Sequence, residues 1–252
     1  MAPRRRSFVL GVAAAPALWW AQWARAAASA KLLGQPVQAT DAEALRYEVL
    51  RALTDRYAKD RGITATPSEI DAYLAGMRRA FQSDRDLALE RRDALTKRLA
   101  AADLAEPERQ TLTRELTDVT STAQALDSML RSADDPADRA ARREVAAAFI
   151  VQWKIHRALY KQYGGRIGYQ QGGPEPLDAV RRFLEHRQAR GDFAIGDPAL
   201  ATAFWRYYRD DSIHSFYPRG SREEAQAFAS PPWQQRSPAG KPREAAGPPP
   251  GK

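Results

Sequence analysis

Cysteine is missing from this chain altogether. Disulfides, thiolate zinc sites and cysteine nucleophiles are therefore excluded. Histidine occurs only at His156, His186 and His214, far apart and with no HxxxH or HExxH pair. No metal site is expected from such spacing, because the ligands would have to be assembled across the fold. No cofactor motif is present either. The formal charge is +8, yet half of it comes from Arg4, Arg5, Arg6 and Arg25, in a stretch of thirty residues without one acid. Elsewhere both signs alternate as on solvated helix faces. A basic stripe with interleaved aromatics is lacking, so no nucleic-acid partner is expected.

Long apolar runs are also scarce, and the one present opens the chain. "MAPRRRSFVLGVAAAPALWWAQWARAAASA" places a basic start before an apolar run from Phe8 to Trp23 and a small-residue end at Ala28-Ser29-Ala30. That order reads as a secretory signal over residues 1–30, with cleavage after Ala30. The run is shorter than the roughly 20 residues of a spanning helix. Membrane contact is expected only if this segment stays uncleaved. Arg5-Arg6-Ser7-Phe8-Val9 fits the twin-arginine export pattern, with general secretion as the alternative. Either route leads out of the cytoplasm, to a periplasm.

Two helix starts follow. Thr40-Asp41-Ala42-Glu43 reads as a capping box ahead of Leu45, Val49, Leu50, Leu53 and Tyr57 at helical spacing. Thr66-Pro67-Ser68-Glu69 is a second box with proline at the favoured first position, ahead of Ile70, Tyr73, Leu74, Met77 and Phe81. The segment "VLRALTDRYAKDRGITATPSEIDAYLAGM", residues 49–77, resembles the N-terminal segment of SurA/PrsA-type periplasmic chaperones, the parvulin-associated foldases. The residues that carry the resemblance are Ala58, Gly62, Ile63, Thr66, Glu69, Ile70 and Asp71. It covers roughly the first quarter of the exported chain. It implies part of a cradle for unfolded chains, with no catalytic residue.

From residue 83 to 132 the composition turns to Ala, Leu, Arg, Asp, Glu and Thr without glycine. Leu112, Leu116, Val119, Ala123, Leu126 and Leu130 step as a coiled-coil seam. Leu87, Ala88, Leu95, Leu99 and Ala102 are expected to face it across a turn at "LAEPER". A protruding antiparallel hairpin is expected, with arms of about 30 to 37 Å. It reads as a spacer or dimerisation arm, or as an arm that grips a client. The next helix, near 137–163, carries Val145, Phe149, Trp153, His156, Tyr160 and Tyr163 on one stripe, read as core.

"YGGRIGYQQGGPEP", residues 163–176, breaks the helical pattern. It fails as a phosphate loop, because Pro174 and Glu175 stand where lysine and a hydroxyl are needed. "GGRIGY" is similar to a parvulin element, but the single helix that follows leaves no room for the remaining strands, and an active isomerase site is not expected. As a joint it works: Gly164 stops one helix, and Pro174 and Pro176 start the next. A second reading stays open, in which this region forms a small pocket or offers a strand edge to a peptide. The candidate binding residues are His156, Arg166, Tyr169, Gln170, Gln171 and Glu175, with Trp205 and Tyr208 from the last helix alongside. No catalytic residue is assigned. Residues 218–252, rich in Pro, Gly, Ser and Arg, read as a disordered tail in which Trp233 anchors to nothing.

These readings give a signal peptide over 1–30, a mainly helical domain over 31–217 with at most short strands, and a tail. The expected function is non-catalytic: an exported, chaperone-like factor binding unfolded or partner polypeptide. The alternatives are a periplasmic enzyme or small-ligand binder using 156–178, with His156 or Glu175 as the acid–base group and Arg166 clamping an anion, and an assembly protein that forms homodimers through the hairpin.

Overall fold

The computed structural model describes residues 29–39, 41–170 and 173–234. Residues 1–28, Thr40 and residues 235–252 lie outside the described residues, and with them most of the expected leader and the end of the expected tail. The fold is mainly α-helical. A hairpin of β1 (Ala30–Leu32) and β2 (Gln35–Val37) is followed by α1 (Ala42–Asp60), α2 (Pro67–Leu99), α3 (Glu106–Asp134) and α4 (Arg139–Tyr163). A second hairpin, β3 (Gly168–Gln170) and β4 (Gly173–Glu175), leads to α5 (Leu177–Ala189), β5 (Phe193–Ile195) and α6 (Pro198–Arg209). A short α7 (Arg222–Gln226) and a 3-10 turn at Pro232–Gln234 follow.

The core forms where apolar faces converge. Leu45, Val49, Leu53 and Tyr57 recur every fourth position of α1, so they share one face, and all are 2 % exposed or less. They meet Ile155 and Leu159 of α4, Leu177, Val180, Phe183 and Leu184 of α5, and Phe204, Trp205 and Tyr208 of α6. Strand β1 lies between β2 and β5, antiparallel to both, with Ala30 opposite Ile195 and Leu32 opposite Phe193. Ala30, the expected end of the leader, is thus the first residue of a strand and only 2 % exposed. Ser29 is also engaged, donating to the Val37 carbonyl at 3.2 Å.

The ends of α1 follow side-chain chemistry closely. Asp41, one residue beyond the expected Thr40, is the N-cap, accepting from the Ala44 amide at 2.8 Å. Its carboxylate reaches the third helical amide, which is what a cap requires. At the other end Gly62 (φ 62°) lets Gly62 N donate to Lys59 O and Ile63 N to Ala58 O, a Schellman closure. The Thr66 box forms as read: Thr66 N donates to Glu69 Oε2 at 2.8 Å and Glu69 N to Thr66 Oγ1 at 3.3 Å. Glu69 also pairs with Lys154 Nζ at 2.6 Å, tying the start of α2 to α4.

Helix α2 corrects one expected boundary. The hairpin arm does not begin at residue 83; α2 runs unbroken through 33 residues. Neither glycine nor proline occurs after Gly76 to stop it, and the helix is about 50 Å long. It packs along α3 in antiparallel fashion. Leu95, Ala123 and Leu130 are buried in the seam. Arg91–Glu115 (2.6 Å), Arg98–Glu108 (3.1 Å) and Arg85–Asp127 (3.7 Å) bridge its flanks. Leu87 and Ala102 do not face the seam and are exposed.

Two further expectations change. Val145 and Phe149 are not core but 54 % and 46 % exposed, because α4 turns Ala146 and Ile150 inward instead. The chain after Pro218 is not uniformly a loose tail. Ser221 caps α7, Phe228 is 6 % exposed, and Trp233 packs on α2 and α4. The aromatic rings supply the apolar burial that the proline-rich composition hides.

Candidate functional site

The break between α4 and α5 is built on two consecutive glycines. Gly164 (φ 63°) ends α4, its amide donating to Tyr160 O at 2.8 Å. Gly165 (φ 101°) has a second constraint, since a Cβ there would lie 2.4 Å from Asp178 Cβ. The backbone can therefore approach α5 only without a side chain. That approach brings Arg166 onto Asp178, which is 6 % exposed. The Arg166 amide and Nε both donate to Asp178 Oδ2 at 2.9 Å, and Nη2 to Oδ1 at 3.1 Å. On its other side the guanidinium holds Asp211 through Nη1 (2.7 Å) and Nη2 (2.9 Å), and it lies 4.3 Å from the Phe216 ring centroid.

Charge explains the titration behaviour of this cluster. Burial pushes the Asp178 carboxyl up, but hydrogen bonds from the Arg166 side chain and amide outweigh it, helped by the charges of Arg166 and Arg181. The carboxyl ends below its ordinary range. Arg166 itself is raised by its bonds to Asp211 and Asp178. The anion expected for this arginine is thus supplied by the chain's own carboxylates.

The β3–β4 hairpin continues from there, pairing Gly168 with Glu175, Tyr169 with Pro174 and Gln170 with Gly173. The other edge of β3 is already paired. Tyr169 N donates to Ser215 O (2.9 Å), Tyr217 N donates to Ile167 O (3.0 Å), and Gly168 bridges Phe216. A peptide cannot add to that edge, and β4 carries Pro174, which has no amide to offer. His156 bonds the Pro174 carbonyl, and its burial drives the imidazole down to about 4, so it is neutral near pH 7. Glu175 accepts from the Tyr207 hydroxyl at 3.3 Å.

The remaining candidates divide clearly. Trp205 and Tyr208 are 7 % and 2 % exposed, and Trp205 is enclosed by Phe204 (5.2 Å), Tyr208 (6.0 Å) and the Arg209 guanidinium (5.0 Å). They are core, not lining. Tyr169 is 51 % exposed, its ring 5.6 Å from Tyr217. Gln170 contributes its backbone to β3; its side chain and the whole of Gln171 lie outside the described residues. Arg166, His156 and Glu175 each face a different protein partner, so they do not form an acid–base pair beside an anion clamp. Among the described residues no group of three or more His, Asp or Glu side chains could hold a metal ion. Asp211 and Phe216 complete the Arg166 cluster and were not singled out in the sequence; "DD" before an aromatic run was the only available signal.

Accessible apolar side chains occur near the joint at Tyr169 and Ile213, at Leu33 and Tyr47, and also on the long helices. Leu87 of α2 (46 % exposed), Met129 of α3 (50 %), and Val145 and Phe149 of α4 stand out on the helical half. Among the described residues no helix is long and apolar enough to cross a membrane. No protein-family model, curated protein or solved structure matches the chain.

Proposed function

We propose that the protein is an exported, non-catalytic factor that holds unfolded or partner polypeptide, using its long helical half as the binding element. The observation that carries this reading is the division of labour between the two halves. The reactive side chains around the joint are bonded to the protein itself, whereas large apolar side chains on α2, α3 and α4 face solvent. Contiguous exposed apolar surface marks an interaction site, and Val145 and Phe149, one turn apart on α4, are half exposed together. The resemblance of residues 49–77 to SurA/PrsA-type segments and the leader-like first thirty residues support the same reading. The test is aggregation of a chemically denatured model client. Stoichiometric protein delays light scattering, without prolyl isomerase activity. No delay at several-fold excess refutes the reading.

One observation favours a second reading, assembly through the hairpin. Leu87 and Met129 lie outside the α2–α3 seam and are half exposed. Twice the monomer mass in light scattering, lost on deletion of the hairpin, would establish it.

A further inference from the structure

The last described residues lie in a groove between two helices. The Trp233 ring contacts Trp153 of α4 edge-on, with centroids 5.6 Å apart, and Tyr73 of α2 at 5.4 Å. Tyr73 in turn stacks on Phe149 at 6.0 Å. The floor of the groove is shaped for a backbone, since a Cβ on Gly76 would come within 2.5 Å of the Trp233 carbonyl oxygen. Upstream, Phe228 rests against Tyr160 with centroids 5.3 Å apart.

The fit is good but incomplete. The indole N–H groups of Trp153 and Trp233 are both buried without a hydrogen-bond partner, a state that costs stability. The rim at Val145 and Phe149 stays exposed. Groove and occupant thus match in shape and aromatic character while two donors go unused.

We propose that the α2–α4 groove is a binding site for tryptophan-bearing turn segments of other polypeptides, and that the turn at Pro231–Gln234 is an internal occupant which such a segment displaces. The inference rests on the polypeptide-binding reading and names the chemistry it selects. An aromatic ring must fill the space between Tyr73 and Trp153, on a backbone close enough to touch Gly76. The preceding prolines lead into the turn, in which Gln234 N donates to Pro231 O at 3.0 Å, and this turn brings the Trp233 carbonyl to Gly76. A client whose carbonyl oxygen reaches the Trp153 indole N–H gains a bond that the internal segment does not make. It must also overcome a tethered competitor, whose effective concentration is on the order of millimolar.

The test uses the full-length chain and a labelled peptide copying residues 228–234 (FASPPWQ). Trp233→Ala vacates the groove and should bind the peptide at least about ten-fold more tightly than wild type. Gly76→Ala added to Trp233→Ala should abolish that gain. No binding to Trp233→Ala, a gain under ten-fold, or a gain that survives Gly76→Ala overturns the inference. If Trp233→Ala does not fold, Gly76→Ala alone decides. Alanine suits a helix interior better than glycine, so α2 should persist while Trp233 leaves and tryptophan emission shifts to the red. Unchanged emission overturns the inference. Peptide binding without any delay of aggregation keeps the groove and removes the chaperone reading; delay without peptide binding does the reverse.

Discussion

Replacing Arg166 by methionine removes five side-chain hydrogen-bond donors from the joint while keeping much of the aliphatic stem. Asp178 then stays 6 % exposed and charged, with only the Arg166 amide (2.9 Å) and Arg181 (3.5 Å) to balance it. Orphaning a buried charge completely costs about 3–5 kcal/mol. Because these two partners remain, the expected loss is about 2–3 kcal/mol, in line with charge-assisted bonds. For a domain of this size that lowers Tm by about 5–10 °C. The Asp178→Asn, Arg166→Met double variant should lose less than the two single variants combined, because the deleted groups act on each other. Thermal unfolding followed by circular dichroism measures all three. An Arg166→Met protein within about 0.5 kcal/mol of wild type, the scatter of ordinary surface substitutions, would refute the claim that Arg166 is held for structure.

His156 supplies a pH prediction. Its folded value, about 4, lies below the ordinary 6.5, so the unfolded chain binds the proton first. Stability is then full above about 6.5 and falls as pH drops towards 4, by about 1–3 kcal/mol. His156→Gln should flatten that part of the profile in urea titrations at stepped pH, and an unchanged profile would count against the assignment. Gly165→Ala combines a positive φ with a Cβ 2.4 Å from that of Asp178. A loss of at least about 2 kcal/mol is expected, larger than for Gly173→Ala, which carries the strain of a positive φ (112°) but meets no atom within 4 Å. Equal losses in the two variants would remove the close-approach argument.

Local signals made much of the body legible. The four-residue step from Leu45 to Tyr57 marks the buried face of α1, and the Thr66–Glu69 pair marks the start of α2. Gly164 ends α4 where a left-handed residue was called for. What failed depends on distant partners. Val145 and Phe149 keep the helical spacing of core residues, but which side of α4 turns inward is a tertiary fact: Ala146 and Ile150 are buried, and Phe149 lies half exposed against Tyr73 of α2. Trp233 sits among prolines that read as unfolded, and the space that receives it is made by Gly76, far away in sequence. Arg166 was legible as an anion clamp; sequence could not distinguish a ligand's carboxylate from that of Asp178 or Asp211.

Strand β1 has an implication for the order of events in the life of the chain. Its partner β5 is synthesised about 160 residues later, and contacts of such separation form slowly. Until Phe193–Ile195 arrive, Ser29 and Ala30 have only the β2 side of the sheet to hold them. If residues 1–30 are a leader cut after Ala30, the cut falls within β1, where Ala30 is 2 % exposed between β2 and β5 and Lys31 is exposed.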